Sequence, residues 1–395
     1  MPDNFMNDSL PYDVEQAVLV GRVWLPETGP AIVVLRQSEL IDITCPQVPT
    51  MAALMALEAP VEWVKNATGQ SIGPVAAILA NSLEDQQKAD VPFLLSPVDL
   101  QAVKAAGVTF AASLIERVIE ERTRGDAGRA EQVRAELQAL VGAKLHELRP
   151  GSEQAMMVRE NMIEQGLWSQ YLEVGIGPDP EIFTKCQPMS SVGFGANIGI
   201  HPKSLWNNPE PEIVLVVSPA NKVVGVTLGN DVNLRDFEGR SALLLGKAKD
   251  NNASCSMGPF IRLFDAGFSL DDVRAVTMSV AIHGQDGFEL SESGAMTQIS
   301  RDPLELVEEA AGQMHQYPDG FVLFLGSMFA PIKDRDVEGS GFTHKIGDKV
   351  VISAAPLGSL VNIVQHSSIC KPWTFGCNAL MRNLAGRKLL SYQAL

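Results

Sequence analysis

The sequence predicts an α+β protein in which a small N-terminal α+β domain precedes a larger domain built on a mixed, rolled or barrel-like sheet. Two observations carry this prediction. Short β-rich runs and glycine-containing turns recur at irregular spacing, which favours a rolled mixed sheet over a doubly wound one. Helical periodicity with many charged residues is concentrated in one middle segment, so these helices are expected to form an insertion.

The N-terminal domain is expected at residues 1–95. Its strands are predicted from β-rich runs bounded by turn residues, at 19–25, 31–35 and 39–43. A helix over 51–57 is expected to follow Thr50, a residue type that often caps helix N-termini. The segment from Pro92 onward is typical of a linker that enters a second unit.

The larger domain is expected at residues 96–395, with a helical insertion at about 113–170. Glu and Arg stand three or four positions apart many times in ERVIEERTRGDAGRAEQVRAELQAL, the spacing of neighbours on one helix face. Most of these charges are expected to be solvated. Gly125 interrupts the run and predicts two helices. A further helical stretch covers 152–168, and one more helix is expected at 303–314, between the strands.

Composition limits the classes of partner and the cellular compartment. The 395 residues carry 31 basic and 47 acidic side chains, a formal charge of −16. An acidic surface argues against nucleic acid or an anionic membrane as a partner, and no run of about 18 apolar residues predicts a membrane span. The five cysteines show no CxxC spacing, so neither a disulfide framework nor a zinc cluster is expected. The polar, acidic N-terminal stretch differs from a signal peptide, and together these features favour the cytoplasm.

The stretch with the most chemical information runs over 207–259. Glu210 and Glu212 are two apart at the head of a β-rich run, so a strand would project both from one face. Asp231 follows the next β-rich run, where a neighbouring strand could bring it alongside. Three carboxylates without a nearby histidine or cysteine form a hard-oxygen site that suits Mg²⁺, with Mn²⁺ or Ca²⁺ as alternatives, better than zinc. Taken alone, the same pattern also fits an exposed strand end.

Basic residues follow this acidic group closely. Arg235 comes shortly after Asp231, and Lys247 and Lys249 come next. A lysine beside a bound dication has its charged form disfavoured, which suits it to accept a proton. Either lysine could instead form an imine with a substrate carbonyl. A pair of solvated surface lysines fits the local pattern as well.

The order of these residues resembles the metal site of the fumarylacetoacetate hydrolase superfamily. The matching motifs are Glu210-x-Glu212, NDVxxRD over 230–236, and Lys249 ahead of a Cys-x-x-Gly-Pro turn at 255–259. The resemblance implies that family's mixed β-roll for the larger domain. The site residues that it implies are the metal ligands Glu210, Glu212 and Asp231, the substrate-binding Arg235, and the catalytic Lys249.

A second family segment, GxNYxxHxxE, corresponds to GVTFAASLIE at 107–116. Ser113 stands where the hydrolases carry histidine, whereas Glu116 is retained. Hydrolytic C–C cleavage needs a base that activates water, usually histidine paired with a carboxylate, so the serine favours β-elimination. The resemblance therefore implies Glu116 as a second catalytic residue and places Thr109 and Ser113 beside the substrate. Ser327 belongs to an LGS turn that stands where the family binds the substrate carboxylate.

At a finer level the chain resembles the dehydratase branch of this family, which acts on 2-keto-3-deoxy-pentonates in the oxidative degradation of pentoses such as D-xylose. GLWSQYLEVGIGPDPEIFTK, GNDVNLRDFEGRSALLL and HQYPDGFVLFLGSMFAPIKDRD are among the stretches that carry this resemblance. It implies a magnesium-dependent hydro-lyase that converts 2-keto-3-deoxy-D-xylonate, the same compound as the D-arabinonate derivative, to 2,5-dioxopentanoate. A homodimer or homotetramer is implied as well. The alternatives are a C–C hydrolase of an acylpyruvate or fumarylacetoacetate-type substrate, a keto–enol isomerase or decarboxylase, and a non-catalytic binding protein.

Overall fold

The structure is a computed structural model that describes residues 9–133, 148–166, 168–329, 331–337 and 341–390. Its strands are β1 (Leu19–Leu25), β2 (Gly29–Arg36), β3 (Glu39–Asp42), β4 (Gln70–Pro74), β5 (Phe93–Leu94), β6 (Ala102–Gly107), β7 (Glu181–Cys186), β8 (Asn197–Ile200), β9 (Pro211–Val217), β10 (Val223–Asp231), β11 (Cys255–Leu263), β12 (Thr277–His283), β13 (Glu289–Ala295), β14 (Phe321–Phe324), β15 (Lys349–Ala354) and β16 (Gly358–His366). Its α-helices are α1 (Met51–Met55), α2 (Pro60–Asn66), α3 (Val75–Ser82), α4 (Ala111–Thr123), α5 (Glu153–Glu164), α6 (Gln170–Ile176), α7 (Arg235–Glu238), α8 (Leu245–Lys249), α9 (Leu270–Arg274), α10 (Pro303–Ala310) and α11 (Cys377–Gly386).

The strands form two sheets. The larger sheet has the order β4-β3-β2-β1-β11-β10-β9-β14-β6-β7, with β5 paired to β1, and the smaller has the order β13-β12-β15-β16-β8. The pairs β14–β6 and β16–β8 are parallel, whereas the neighbouring pairs within both sheets are antiparallel. The expected α+β class with a mixed sheet is therefore confirmed.

The first four strands belong to the larger sheet. β1 pairs with β11 through Leu19 opposite Arg262 and Val20 opposite Ile261, so the N-terminal strands extend the sheet that also holds β9 and β10. Sequence patterns do not reveal this long-range pairing, because each run is compatible with several partners. A domain boundary near residue 95 stays a prediction.

The central strands of the larger sheet are buried on both faces. In β9, Ile213, Leu215 and Val217 pack into one apolar cluster, whereas Val214 and Val216 pack into another on the opposite face. β14 alternates in the same way. Strands that are covered on both sides read as continuous apolar runs, as IVLVV does. The strand ends that emerge from this double-sided core are therefore held on a rigid base.

The helices between β6 and β7 agree only in part with the helices predicted for the charged segment. α4 ends at Thr123, and Arg124 and Gly125 then adopt positive φ angles of 55° and 75°, which confirms the break predicted at Gly125. α5 confirms the helical stretch expected within 152–168. Residues 134–147, where most of the second charged helix is expected, lie outside the described residues. The described helices include none that is both long and apolar enough to cross a bilayer.

Two further helix predictions need shorter bounds. The helix expected over 51–57 ends at Met55, and the helix expected over 303–314 ends at Ala310, because Ala311 is extended with φ of −147°. Helix ends are the least determined part of a pattern, since capping geometry decides them.

Gly125 is expected to tolerate no side chain. A Cβ at this residue would lie 2.5 Å from the backbone oxygen of Asp236, and its φ is in the left-handed region. Gly125→Ala should therefore lower the free energy of unfolding by roughly 1–3 kcal/mol, measured by denaturant titration. Gly246→Ala is the matched control, because a Cβ there meets no atom within 4 Å. Equal stability of the two variants would contradict this account of the turn.

Candidate metal and substrate site

Three carboxylates meet where β9 and β10 lie side by side. Glu210 immediately precedes β9, Glu212 is its second residue, and Asp231 ends β10. The strands are antiparallel, with Glu212 opposite Gly229, and the Asp231 N–H donates to the Glu210 carbonyl oxygen at 2.9 Å. Each residue offers a carboxylate oxygen within 4.8 Å of the others, and all three are buried. The predicted grouping is confirmed, and the alternative of an exposed strand end is wrong.

Lys249 is the lysine that reaches this group. It ends the short helix α8, is buried, and its Nζ pairs with Glu210 and with Asp231 Oδ2, the latter at 3.0 Å. Lys247 is exposed, and its Nζ lies 5.3 Å from the ring centre of Phe237. The structure therefore favours Lys249 over Lys247, as the spacing to the Cys-x-x-Gly-Pro turn predicts.

Two further cationic side chains, which the sequence analysis did not single out, approach the carboxylates. Lys185 is fully buried, and its Nζ lies 2.8 Å from Asp231 Oδ1. Arg117 pairs with Glu210 and also with Glu120 and Glu238, at 2.6 and 2.9 Å. Arg117 stands in the charged run that was expected to be solvated, so that expectation is wrong for this residue. Helix α4 turns this side of the run inward.

A narrow pocket joins the carboxylates to the predicted substrate turn. It is lined by Ala106, Gly107, Val108, Ser113, Arg117, Glu181, Phe183, Glu210, Glu212, Asp231, Glu238, Lys249, Gly326 and Ser327. Six of these residues were predicted from the sequence, namely Ser113, Glu210, Glu212, Asp231, Lys249 and Ser327. Among the described lining residues there is no histidine, which agrees with serine at position 113.

The turn at 325–327 is hydrogen-bonded to Glu212 and to Thr109. The Gly326 N–H donates to Glu212 Oε2 at 2.6 Å, which fixes the carboxylate of a predicted metal ligand. Thr109 Oγ1 donates to the Leu325 carbonyl oxygen at 2.6 Å and supports the turn from below, without lining the pocket. Ser327 Oγ faces the Phe329 backbone, at 3.1 Å from its oxygen. Contact of Thr109 or Ser327 with substrate stays a prediction.

Glu116 and Arg235 pair with each other and do not line the pocket. Arg235 Nη2 lies 2.8 Å from Glu116 Oε2, and its Nε donates to Glu120 at 2.6 Å. The guanidinium also stacks on Trp206, at 4.2 Å from the ring centre. These contacts tie helix α4 to helix α7 beside the pocket. The catalytic role predicted for Glu116 and the substrate contact predicted for Arg235 stay predictions.

Glu181 is a pocket carboxyl that the sequence analysis did not predict. It begins β7, and its carboxyl group lies over Gly107, where a Cβ would come within 1.9 Å of Oε2. Burial, followed by the nearby carboxylate of Glu238, raises the pKa of Glu181 to about 7. A carboxyl with such a pKa can hold or release a proton near neutrality. No motif flags it, because a glutamate at a strand start is ordinary.

The donor set fits a hard divalent cation. Burial, and then the charge of Asp231, raises the pKa of Glu212 well above its usual value. Burial opposes ionisation of Asp231 too, but Lys185 and Lys249 outweigh it and hold that pKa below its usual value. Within the described residues no cation pairs with Glu212, so its carboxylate lacks a charge partner that a dication would supply. Three clustered carboxylate oxygens are ligands typical of Mg²⁺ or Mn²⁺.

Comparison with known proteins shows a matching family model and two curated relatives. A family model described as the C-terminal part of fumarylacetoacetate (FAA) hydrolase matches residues 164–365, just over half of the chain. The chain is 30% identical over 189 residues to a "2-dehydro-3-deoxy-D-arabinonate dehydratase" of Saccharolobus solfataricus, covering 47% of this chain and 59% of the relative. It is 30% identical over 202 residues to a "Probable 2-keto-3-deoxyxylonate dehydratase" of Haloferax volcanii, covering 51% and 65%. The chain thus matches about six tenths of each curated relative's length.

A solved structure shares the fold over nearly its whole length. It is titled "2-keto-3-deoxy-D-arabinonate dehydratase complexed with magnesium and 2,5-dioxopentanoate", and it aligns with a TM-score of 0.60 and 20% sequence identity. The alignment covers 88% of this chain and 99% of that chain. This chain therefore shares its fold with that structure. Since the family model matches just over half of the chain, including the segments that hold Glu210, Glu212, Asp231 and Lys249, the chain belongs to the fumarylacetoacetate hydrolase family.

Proposed function

We propose that this protein is a magnesium-dependent hydro-lyase that removes water from a 2-keto-3-deoxy-pentonate. The favoured substrate is 2-keto-3-deoxy-D-xylonate, which is also 2-dehydro-3-deoxy-D-arabinonate, and the product is 2,5-dioxopentanoate. The observation that carries the proposal is the buried Glu210, Glu212 and Asp231 group, which Lys249 contacts inside a pocket without a described histidine. Two curated relatives bear names of this activity.

Glu210, Glu212 and Asp231 would hold the metal ion. When bound, Mg²⁺, or Mn²⁺ in its place, supplies Lewis-acid stabilisation of negative charge on the substrate's C2 oxygen. The name of the aligned dehydratase structure, which includes magnesium and the proposed product, supports this choice. The hydroxyls of the pocket residues Ser113 and Ser327 donate to the carbonyl oxygens of Phe110 and Phe329, and they would turn from these to donate to the substrate.

Lys249 is the proposed base. Its Nζ would accept the proton from C3, because this amine contacts two of the carboxylates that would hold the metal ion. Glu181, when protonated, would donate its proton to the C4 hydroxyl, which leaves as water. Breaking C3–H and C4–O in this way leaves a C3–C4 double bond. A proton then moves from C5 to C3, which gives a C4–C5 enol, and transfer of the enol hydroxyl proton to C4 gives the C5 aldehyde.

The proposal gives the acid role to Glu181 instead of Glu116, because Glu181 lines the pocket and Glu116 pairs with Arg235 outside it. Glu181→Gln should lower kcat by about 10²–10⁴-fold, the usual contribution of one acid or base. Steady-state turnover measures this. Glu116→Gln is the matched control and should retain most of the activity. The opposite ranking of the two variants would return the acid role to Glu116.

The same assignment predicts a pH dependence. Glu181 acts in its protonated form, so kcat should fall as pH rises through about 7. This decline should be absent from the residual activity of Glu181→Gln. An activity that instead rises through neutral pH and depends on Glu181 would make this residue the base.

A substrate panel separates dehydration from C–C hydrolysis. 2-Keto-3-deoxy-D-xylonate, its L-epimer and an acylpyruvate are each incubated with the Mg²⁺-loaded protein, and the products are identified by proton NMR. We expect an aldehyde signal from a pentonate and no pyruvate from the acylpyruvate. Pyruvate release without any aldehyde would replace the proposal with a C–C hydrolase.

We also propose the cytoplasm as the compartment and a homodimer or homotetramer as the assembly. The acidic composition and the absence of CxxC spacing support the first, and the family resemblance supports the second. Sedimentation velocity would decide the assembly.

A further inference from the structure

Lys185 is buried at the centre of the site but does not line the pocket. It is the penultimate residue of β7 and its side chain is 0% exposed. Its Nζ lies 2.8 Å from Asp231 Oδ1 and donates to the Val232 carbonyl oxygen at 3.1 Å and to the Lys249 carbonyl oxygen. Nζ thus makes two hydrogen bonds to backbone carbonyl oxygens and one ion pair with a carboxylate. Since Lys185 is absent from the pocket lining, it is not placed to contact a substrate.

A fully buried ammonium is costly unless it is paired and hydrogen-bonded. The acceptors of Lys185 come from two separate parts of the site. Asp231 and Val232 lie at the end of β10, and Lys249 is the last residue of helix α8. One side chain therefore ties a proposed metal ligand to the backbone of the proposed base.

The contact with Lys185 also means that the two carboxylate oxygens of Asp231 have different partners. Oδ1 pairs with Lys185, whereas Oδ2 lies 3.0 Å from Lys249 Nζ. Pairing of Oδ1 with Lys185 restrains rotation of the carboxylate and keeps Oδ2 toward Lys249. Ser254 Oγ adds a second hydrogen bond to the Lys249 carbonyl, at 2.8 Å. The end of α8 is therefore held from two sides.

We infer that Lys185 is a positioning residue of the metal centre, which orients Asp231 for metal binding and holds Lys249 relative to it. This inference rests on the proposed metal-dependent function. Residues that orient a metal ligand typically change metal affinity by about 10- to 100-fold when they are replaced. Lys185 thus acts through Asp231 and Lys249.

The direction in which metal affinity changes when Lys185 is replaced distinguishes a positioning role from an effect of charge alone. If Lys185 were only a nearby positive charge, it would repel a dication, and its removal would tighten metal binding. If it orients Asp231, its removal weakens metal binding although the site becomes more negative. Lys185→Met keeps most of the side-chain volume and removes the charge and all three donors.

The experiment titrates chelator-stripped protein with Mn²⁺ and follows the free ion by electron paramagnetic resonance. Lys104→Met is the matched control, because Lys104 lies on the adjacent strand β6 and donates to exposed Thr184 at 3.0 Å. We expect Mn²⁺ affinity to fall by about 10- to 100-fold in Lys185→Met and to stay unchanged in Lys104→Met. Circular dichroism and the melting temperature of the metal-free proteins show whether each variant is folded.

Lys185→Gln provides the second variant, since it retains an amide donor and removes the charge. We expect its Mn²⁺ affinity to lie between those of wild type and Lys185→Met. If Lys185→Met does not fold, the comparison of Lys185→Gln with wild type tests the inference instead. Affinity equal to or tighter than wild type in a folded Lys185 variant would overturn the inference. Failure of the wild-type protein to bind Mn²⁺ would instead overturn the proposed function, so the two failures are distinguishable.

Discussion

Replacing Glu212 with glutamine is expected to abolish metal-dependent turnover and to leave the fold intact. The change removes the charge of one of three carboxylates that would hold the metal, at nearly constant volume. Metal stabilisation of the developing charge contributes several kcal/mol, so the loss should reach about 10³-fold or more in kcat/KM. Steady-state assays at saturating Mg²⁺ measure it.

The fold should remain intact because burying the charge of Glu212 costs free energy, which burying a neutral glutamine would not. Burial raises its pKa well above the usual value, and the glutamine oxygen can still accept the Gly326 N–H. The melting temperature should therefore match or exceed that of wild type. Glu62→Gln, on an exposed helix position, serves as control and should change neither quantity. Wild-type-like turnover in Glu212→Gln would remove the metal assignment.

Lys249→Met is expected to lower kcat by about 10²–10⁴-fold, because it removes the proposed base. Metal binding should be retained or become tighter, since the substitution also removes a cation that pairs with Glu210 and Asp231. Turnover and Mn²⁺ affinity, measured on the same preparation, should thus move independently. Lys247→Met alters an exposed lysine of the same helix and should change neither.

Two results would contradict this role of Lys249. Full activity of Lys249→Met would show that another group accepts the C3 proton. A covalent adduct between Lys249 and substrate, trapped with borohydride, would show that the lysine forms an imine. The metal-dependent route predicts loss of activity on chelation and no trapped adduct.

The grouping of the three carboxylates was predictable because it depends on local rules. Residues two apart on a strand share a face, which places Glu210 beside Glu212. Asp231 ends the next strand, and consecutive strands commonly pair. Lys249 was implied by the resemblance to the family, whose spacing to the Cys-x-x-Gly-Pro turn it matches. These signals lie within one short stretch of chain and need little knowledge of tertiary structure.

The rest of the site depends on contacts between distant segments. Lys185 and Glu181 lie on β7, which is three places from β9 in the order of the larger sheet. Contact between Lys185 and Asp231 therefore depends on the tertiary fold. Arg117 belongs to a charged helical run, and the sequence does not show which side of that helix faces the core. The pairing of β1 with β11 is equally invisible in the sequence pattern, because register is set by tertiary packing.

The most direct test of the account is turnover of 2-keto-3-deoxy-D-xylonate by chelator-stripped protein, with and without added Mg²⁺. A coupled semialdehyde dehydrogenase reports the product as reduced nicotinamide. We expect no product from the stripped protein and full turnover when Mg²⁺ is restored. Absence of product from this substrate and its L-epimer, despite a bound metal ion, would contradict the dehydratase assignment and leave only the family and the metal site.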